Sequence, residues 1–265
     1  MDYMRSPPDW EPSDPNPFSA DGRYGSQWTC FRIACAPGCL SGGGRRGPFT
    51  IVVPMDCPDL KARLADFLRY ESRNGRRVIL SCPESVDIDA LIREALVETP
   101  EGDTVRPTDP KWVVHSTTLE AWDGISTAGS LKSLSLLRED GIQTTALGQT
   151  ELGEPAEYAD YVILGQMHAL SAEYVVASGE EGRIVTEPDR PYDPGIRLYF
   201  DNHRIVRDGL AIRDGLHTSK VYRHLPLKPF MVASVRAEEF PPRAWTPRTF
   251  VEAANELFFR KIEGR

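Results

Sequence analysis

A chain of 265 residues with 40% hydrophobic and 26% charged residues has the composition of a globular protein, long enough for one large domain or two small ones. Its formal net charge of -8 provides no overall basic field, so any contact with nucleic acid or phosphate must come from a local cluster of cations. Because the sequence contains no run of about 18 apolar residues, we expect no transmembrane span and no membrane partner.

The first 24 residues are rich in proline and acidic side chains and poor in apolar ones. A segment of this composition cannot bury enough apolar surface to fold, so we expect a disordered or surface-bound tail over residues 1–24. The segment also lacks the apolar stretch of a secretory signal, and we therefore expect a cytoplasmic protein.

Five cysteines, an odd number without a secretion signal, argue against a disulfide framework. Cys30, Cys35 and Cys39 are close in sequence, but neither gap is the two-residue spacing of a zinc knuckle. The nearest histidine in the sequence is His115. We therefore expect reduced structural thiols and no metal site.

Residues 25–105 are predicted to form a small α/β lobe whose first half carries strand patterns. One strand is predicted over Gln27–Ala36 and another from Phe49 onward. Residues 41–48 between them are rich in glycine, but no Gly-Lys-Ser/Thr follows. This stretch therefore predicts a hairpin connection rather than a phosphate-binding loop.

Two amphipathic helices and a third strand complete the small lobe. Apolar residues at helical spacing predict a helix over Asp59–Glu71 and another over residues 85–98, with Ser85 or Asp87 near its start. The apolar segment RRVILS between the helices predicts a strand. We expect this lobe to be winged-helix-like and to be followed by a linker over residues 102–110.

Residues 110–240 are predicted to form a larger lobe of short strands with few helices. Strand patterns begin at Trp112, recur around Tyr161–Leu164, and occur at least three times within residues 195–235. This organisation is typical of a split α+β sandwich rather than a doubly wound sheet. A short segment, SAEYVVAS, precedes a predicted turn at GEEG, and residues 241–265 are predicted to hold a C-terminal helix.

The first strand of this lobe, WVVHST, ends in a histidine followed by hydroxyl side chains. It leads into a predicted helix whose apolar residues Leu119, Trp122 and Ile125 precede Gly129. Such a strand end brings a ring nitrogen, two hydroxyls and free backbone groups beside a helix, an arrangement that suits binding a ribose and a carboxamide. The alternative interpretation of His115 is an ordinary half-buried histidine on a strand.

The segment HSTTLEAWDGISTAG resembles the His-Gly-Thr/Ser strand and following helix with which the ADP-ribosyltransferase superfamily holds NAD. Other segments resemble, in the same order, the RNA 2′-phosphotransferase family of that superfamily. Leu68-Arg69-Tyr70 is similar to a Leu-Arg-His helix, SVDIDALI to a Val-Asp-Val-Asp-Glu-Leu segment, and residues 196–230 to the closing run of the family. The resemblance covers roughly residues 60–235.

The resemblance implies an α+β fold in which an ADP-ribosyltransferase-like split β-sandwich lobe binds NAD and the small lobe binds RNA. The family's reaction moves an internal 2′-phosphate of RNA to ADP-ribose and releases nicotinamide. By analogy, His115 would hold the ribose hydroxyls, Ser116 would present backbone groups to the nicotinamide amide, and Thr117 would line the pocket. Arg69 would contact the attacking phosphate, with simple packing of its stem along a helix as the alternative.

Two further residues complete the predicted site. Arg183 is the cation best placed in the sequence to stand for an arginine that the family carries on a helix after the Tyr161 strand. The Tyr161 strand is expected to run beside the His115 strand, where the ring would stack on nicotinamide, and core packing is the alternative role.

The sequence also departs from the family pattern. Tyr70 replaces a histidine, Ser116 replaces a glycine, and the stretch between Ile92 and Val113 is too short for the family's Lys-x-Arg-Phe strand. Arg73, Arg76 or Arg77 would have to supply the missing cations. Two other functions therefore stay open: ADP-ribosylation of a protein, DNA or small molecule, and binding of a nucleotide or RNA end without turnover. The segment LHTSKVYRHL lacks the glutamate that most such transferases carry on a late strand, which favours the phosphotransferase hypothesis.

Overall fold

The structure, a computed structural model, describes residues 3–36, 38–42 and 47–264. The chain divides into two compact units. Unit 1 holds the residues up to Gly102 together with Gly148–Tyr158 and Arg213–Leu216. Unit 2 holds Asp103–Leu147, Ala159–Ile212 and the residues from His217 onward. The small lobe expected over residues 25–105 thus corresponds to most of unit 1, but two later segments of the chain also belong to it.

Unit 1 is built on a five-stranded sheet with the strand order β1-β5-β2-β4-β3. Its strands are β1 (Tyr3–Ser6), β2 (Trp28–Ala34), β3 (Leu40–Gly42), β4 (Phe49–Pro54) and β5 (Arg77–Ser81). The pairs β1–β5, β5–β2 and β2–β4 are parallel, and β3 pairs antiparallel with β4. The hairpin predicted between the strand Gln27–Ala36 and the strand from Phe49 is wrong, because β2 and β4 run parallel. The short strand β3 pairs antiparallel with β4 instead, and residues 43–46 between them lie outside the described part of the chain.

Two helices of unit 1 follow the predicted boundaries closely. They are α1 (Leu60–Arg73) and α2 (Ile88–Glu98). Helix α1 buries an apolar stripe against the sheet, where the ring centroids of Phe67 and Phe31 lie 5.2 Å apart. Helix α2 begins after Asp87, whose carboxylate accepts a hydrogen bond from the Ala90 amide.

The prediction of a winged-helix-like small lobe is wrong. Helix α1 connects the parallel strands β4 and β5, so unit 1 contains a βαβ crossover and a mostly parallel sheet. Parallel strands buried by helices read as short continuous apolar runs, such as FTIVVP and RVILS, and those runs alone do not reveal how the strands pair.

Of the two alternatives for the N-terminal segment, a disordered tail is wrong for the residues that the structure describes, because these residues are bound to unit 1. Strand β1 lies in parallel register with β5, from Tyr3 opposite Val78 to Ser6 opposite Ser81. Trp10 is only 4% exposed and packs edge-on against Tyr24, with 5.4 Å between ring centroids. A few aromatic side chains among the prolines therefore suffice to attach this segment to unit 1.

Unit 2 is built on a six-stranded antiparallel sheet with the order β10-β11-β8-β6-β9-β13, and on a separate two-stranded ribbon, β12-β7. The strands are β6 (Trp112–Thr117), β7 (Ser130–Lys132), β8 (Tyr161–Gln166), β9 (Ile196–Asp201), β10 (Ala211–Ile212), β11 (Ser219–Tyr222), β12 (His224–Pro226) and β13 (Met231–Arg236). The α+β class is therefore confirmed, and the strands containing His115 and Tyr161 are neighbours, as predicted.

The helices of unit 2 connect these strands. They are α3 (Leu119–Ala128), α4 (Leu134–Glu139), α5 (Ser171–Glu181), α6 (Asn202–Arg207), the single turn α7 (Leu227–Phe230) and α8 (Pro247–Glu263). Short turns of 3₁₀ or π geometry lie at Gly148–Leu152, Ala156–Asp160 and Ala237–Glu239. The turn predicted at GEEG is instead the end of α5, which stops at Gly182 in the left-handed conformation (φ 67°).

Both faces of the six-stranded sheet are covered. Val113 packs on one face with Leu164 and Leu198, and Val114 packs on the other with Tyr199 and the aromatic residues of α8. Side chains alternate between faces along a strand, so His115 and Thr117 belong to the Val113 face and Ser116 to the Val114 face. Within the described residues, no helix is long and apolar enough to cross a lipid bilayer.

Candidate functional site

The end of β6 carries His115, Ser116 and Thr117, and it is paired on only one side. The ladder between β6 and β9 runs from Trp112 through Thr117. The ladder between β6 and β8 contains only two pairs, Val113 with Gln166 and Val114 with Gly165. Strands β6 and β8 therefore separate at His115, and the edge of β6 that faces β8 has no strand partner among the described residues beyond that point. Peptide groups at an unpaired strand edge need other hydrogen-bond partners, from the protein, water or a ligand.

His115 occupies the opening between the two strands. Its Nδ1 lies 3.5 Å from the carbonyl oxygen of Ile163 in β8, and its Nε2 makes no hydrogen bond within the part of the chain that the structure describes. Burial lowers the pKa of His115, and the Ile163 carbonyl and the Glu173 carboxylate oppose this effect only in part. The imidazole is therefore neutral near pH 7. With the proton on Nδ1, its Nε2 is a hydrogen-bond acceptor.

The start of α3 follows the strand end directly. The Thr118 hydroxyl caps the helix by accepting a hydrogen bond from the Ala121 amide at 3.2 Å. Gly195, just before β9, packs against this junction: a Cβ at position 195 would collide with the Thr117 carbonyl oxygen and lie 2.7 Å from the Thr118 Cα. A glycine at position 195 thus lets two backbone segments approach closely where β6 passes into α3.

Beneath the strand end, a buried ion pair joins α5 to β6 and β9. Glu173 and Arg197 are both inaccessible to solvent, and Arg197 Nη1 donates to Glu173 Oε1 at 2.5 Å. The Ser116 hydroxyl donates to the same carboxylate oxygen at 2.5 Å, and the Tyr192 hydroxyl donates to Oε2 at 2.8 Å. We call these four residues, Ser116, Glu173, Tyr192 and Arg197, the Glu173 network.

The Glu173 network continues to α8 through one backbone carbonyl. Arg197 Nη2 donates to the carbonyl oxygen of Met167 at 2.7 Å, and Asn255 Nδ2 donates to the same oxygen at 2.9 Å. The Tyr199 hydroxyl in turn donates to Asn255 Oδ1 at 3.0 Å. Almost every polar group in this part of the core is therefore satisfied, as a buried ion pair requires.

The structure divides the predicted NAD-binding residues between the two faces of the sheet. His115 and Thr117 share the face of Val113, whereas the Ser116 side chain is engaged in the Glu173 network on the other face. Tyr161 lies opposite Tyr222 in the β8–β11 ladder, with 5.8 Å between ring centroids, and the Lys220 Nζ lies 4.5 Å from its ring centroid. By alternation, Tyr161 is on the Ser116 face, so the structure does not bring its ring to the His115 face.

Arg69 belongs to unit 1, where it holds the end of α2. Its guanidinium donates to the carbonyl oxygens of Thr99 and Leu96 at 2.9 and 3.0 Å and pairs with Glu101 at 2.9 Å. Cations at a helix C-terminus donate hydrogen bonds to its exposed carbonyls and interact favourably with the negative end of the helix dipole. This geometry gives Arg69 a structural function, and its contact with a phosphate stays a prediction.

The other predicted cations differ in how far they are committed to partners. Arg183 follows the end of α5 in unit 2 and is exposed, with its Nε 3.9 Å from a Glu181 carboxylate oxygen. Within unit 1, Arg76 is paired with the buried Glu71 and with Glu157, whereas Arg73 is 66% exposed and pairs with Glu101. Arg73 is therefore the more accessible of these two for an anionic ligand.

Sequence reasoning missed the two charged residues at the centre of the site. Glu173 lies in an amphipathic stretch that was not recognised as a helix, and Arg197 lies in the apolar strand IRLYFD. The available signal was the arginine itself, because a lone charge within an apolar strand requires a buried partner.

A cleft of about 430 Å³ lies elsewhere in unit 2, between α8 and the loop before α5. It is lined by His168, Leu170, Arg248, Val251, Glu252, Asn255, Glu256 and Phe259. None of the predicted site residues lines this cleft. Among the described residues, no group of three or more His, Cys, Asp or Glu side chains is arranged to hold a metal ion, and all five cysteines are unpaired thiols.

No family model, curated protein or solved structure matches the chain.

Proposed function

We propose that the protein is an NAD-dependent transferase of the RNA 2′-phosphotransferase type, with the NAD-binding site at the end of β6. The observation that carries this proposal is the separation of β6 from β8 at His115, which leaves a neutral imidazole and an unpaired backbone edge side by side. When bound there, NAD supplies an ADP-ribosyl group with nicotinamide as the leaving group.

His115 contributes an acceptor for a ribose hydroxyl. The Ile163 carbonyl favours the tautomer protonated on Nδ1, and burial keeps the ring neutral, so Nε2 can accept a hydrogen bond from a hydroxyl group. A protonated ring would present only donors. The environment of His115 therefore matches a role in orienting a sugar better than a role in binding an anion.

The backbone beyond His115 supplies what a carboxamide requires. An amide group needs one acceptor and one donor at fixed positions, and an unpaired strand edge offers carbonyl and N–H groups in a regular array. The Ser116 side chain points away into the Glu173 network, so the serine hydroxyl does not obstruct this edge. The glycine that the resembling family carries at this position is therefore not needed here to keep the edge open.

The sequence of a late strand favours phosphate over the acceptors of other ADP-ribosyltransferases. Strand β11, SKVY, carries no glutamate, the residue that most transferases of that kind carry on a late strand. Lys220 of this strand lies over the Tyr161 ring, on the Ser116 face of the sheet, so it is not part of the His115 site.

The test is mass spectrometry of the purified protein incubated with NAD and a short RNA that carries an internal 2′-phosphate. We expect loss of the RNA phosphate, release of nicotinamide and formation of ADP-ribose cyclic phosphate. His115→Ala should abolish these products. His224→Ala is the matched control, because His224 is an exposed histidine of the same unit on β12, and it should leave them unchanged.

Each other outcome changes the proposal in a definite way. An RNA that accumulates with ADP-ribose attached would retain NAD as the donor but restrict the protein to the first transfer. Intact NAD and intact RNA after prolonged incubation would overturn the phosphotransferase proposal. Equal loss of product in the two histidine variants would remove His115 from the site.

A further inference from the structure

We propose that the Glu173 network is a positioning device for the end of β6, with Ser116 as the residue through which it acts on His115. This inference deepens the proposed function and rests on it for its catalytic meaning. The physical role of the network, to hold a strand end that has lost one neighbour, is testable without any ligand.

The need for such a device follows from the strand pairing. A residue inside a sheet is restrained by ladders on both sides, but the β6–β8 ladder stops at Val114. Beyond that point, β9 alone holds His115, Ser116 and Thr117 within the sheet. A catalytic or binding group on a half-paired strand end needs additional restraint, because small displacements weaken ligand orientation strongly.

The Ser116 hydroxyl supplies that restraint from the opposite face. It is 5% exposed and donates to Glu173 Oε1 at 2.5 Å, while Arg197, the cross-strand partner of Ser116 in β9, donates to the same oxygen. One carboxylate on α5 therefore holds both strands at a single level of the sheet. Hydrogen bonds to an ionised acceptor are shorter and stronger than those between neutral groups.

The cost of the network argues that it has a role beyond stability. A fully buried ion pair loses the hydration of both charges, and well-packed apolar residues of similar volume often give equal or greater stability. Each partner here also makes additional directional hydrogen bonds, to Ser116, Tyr192 and the Met167 carbonyl. Such contacts specify one arrangement of the strands that apolar packing would leave adjustable.

The test compares two variants, each of which removes one hydroxyl group that donates a hydrogen bond to the Glu173 carboxylate. Ser116→Ala removes the hydrogen bond to Oε1 that reaches β6, and Tyr192→Phe removes the hydrogen bond to Oε2 that does not. Glu173→Gln is unsuited as the main variant, because it leaves Arg197 as an uncompensated buried charge and is expected to unfold unit 2.

Two readouts separate positioning from general stability. Hydrogen exchange of the peptide covering β6 should rise at least about tenfold in Ser116→Ala and stay near wild type in Tyr192→Phe. The Kd for NAD should rise by about 10- to 100-fold in Ser116→Ala only, the range typical for loss of a supporting residue around a site.

The outcomes distinguish this inference from the proposed function. The positioning role would be overturned, whatever the ligand is, if the β6 peptide exchanged hydrogen at the same rate in both variants. A wild-type exchange rate in Ser116→Ala would overturn it as well. Faster hydrogen exchange of β6 in Ser116→Ala alone, together with no NAD binding by the wild-type protein, would support the positioning device and reject NAD as its ligand.

Discussion

Among single residues, His115 is the one whose protonation state determines whether its Nε2 accepts or donates a hydrogen bond. The neutral ring offers Nε2 as an acceptor, and burial is the main reason why it is neutral. The sequence predicts that this residue lies near the end of an apolar strand, and the structure confirms that position. It did not reveal the neighbouring carbonyl of Ile163, which lies 48 positions away in the chain.

The lowered pKa of His115 predicts a pH dependence of stability. As the pH falls through about 6.5, the unfolded chain binds a proton at this histidine before the folded protein does. The free energy of unfolding should therefore fall between pH 7.5 and the pKa of the folded state, by about 1.4 kcal/mol for each unit by which that pKa is lowered. Urea unfolding of wild type and His115→Gln at several pH values measures this effect. Parallel pH profiles for the two proteins would contradict it.

Arg69 has structural contacts that the sequence does not predict. The sequence marks it as a helix cation beside Leu68, and the structure shows its guanidinium on the last carbonyls of α2. Which helix lies beside Arg69 depends on tertiary packing, and helical periodicity carries no information on that neighbour.

We expect Arg69→Ala to lower the free energy of unfolding of the protein by about 1–3 kcal/mol, because it leaves the carbonyls of Leu96 and Thr99, at the end of α2, without their charged donor. Arg73→Ala is the matched control: Arg73 lies one turn further along α1, is 66% exposed and pairs only with Glu101 among the described residues. Its loss should cost less than about 1 kcal/mol. Chemical denaturation of both variants measures the difference, and equal values would rule out the structural role of Arg69.

At the scale of elements, the sequence predicted individual strands and helices well and their pairing poorly. The bounds of α1, α2, β6 and α8 lie within a few residues of the expected ones, because apolar periodicity and capping residues mark them directly. Helix α5 was missed since Gly179 and two adjacent valines interrupt its helical pattern. The early separation of β6 from β8, on which the candidate site depends, has no signal in either strand alone.

The junction of β6 with α3 predicts a strong effect of a single methyl group. Gly195→Ala would place its Cβ against the Thr117 carbonyl and 2.7 Å from the Thr118 Cα, so the backbone must move. We expect a loss of about 1–3 kcal/mol in stability and weaker NAD binding, because the displaced residues adjoin His115.

Gly179→Ala provides the control for that variant. Position 179 lies inside α5, and no atom would lie within 4 Å of the added Cβ. Since alanine favours the helix over glycine by up to about 1 kcal/mol, this variant should be as stable as wild type or more so. Thermal unfolding of both proteins tests the pair. A Gly195→Ala protein as stable as Gly179→Ala would contradict the close packing at the junction.

For the molecule as a whole, the sequence predicts a mixed α+β class, which the structure confirms. It did not establish that residues 148–158 and 213–216 belong to unit 1, because contacts between distant segments leave no local pattern. It also assigned the N-terminal segment to a tail from its composition. Trp10 and Tyr24 of that segment form a buried cluster with Trp28 of β2, and an average over 24 residues conceals these two aromatic residues.

Integration of the N-terminal segment into unit 1 has a direct test. Trp10 is 4% exposed, so Trp10→Ala should cost about 3–5 kcal/mol in the free energy of unfolding. Phe18, in the same segment, is 62% exposed, and Phe18→Ala should cost less than about 1 kcal/mol. Urea denaturation followed by circular dichroism measures both. A disordered tail would give wild-type stability for the two variants alike.

We propose that the end of β6 binds NAD through His115. The most direct measurement is the nuclear magnetic resonance of the imidazole groups of all five histidines during titration with NAD. We expect a selective shift of the Nε2 resonance of His115, with the ring remaining neutral, and no comparable change at the exposed His224. Unchanged His115 resonances at saturating NAD, or equal shifts at every histidine, would contradict the claim.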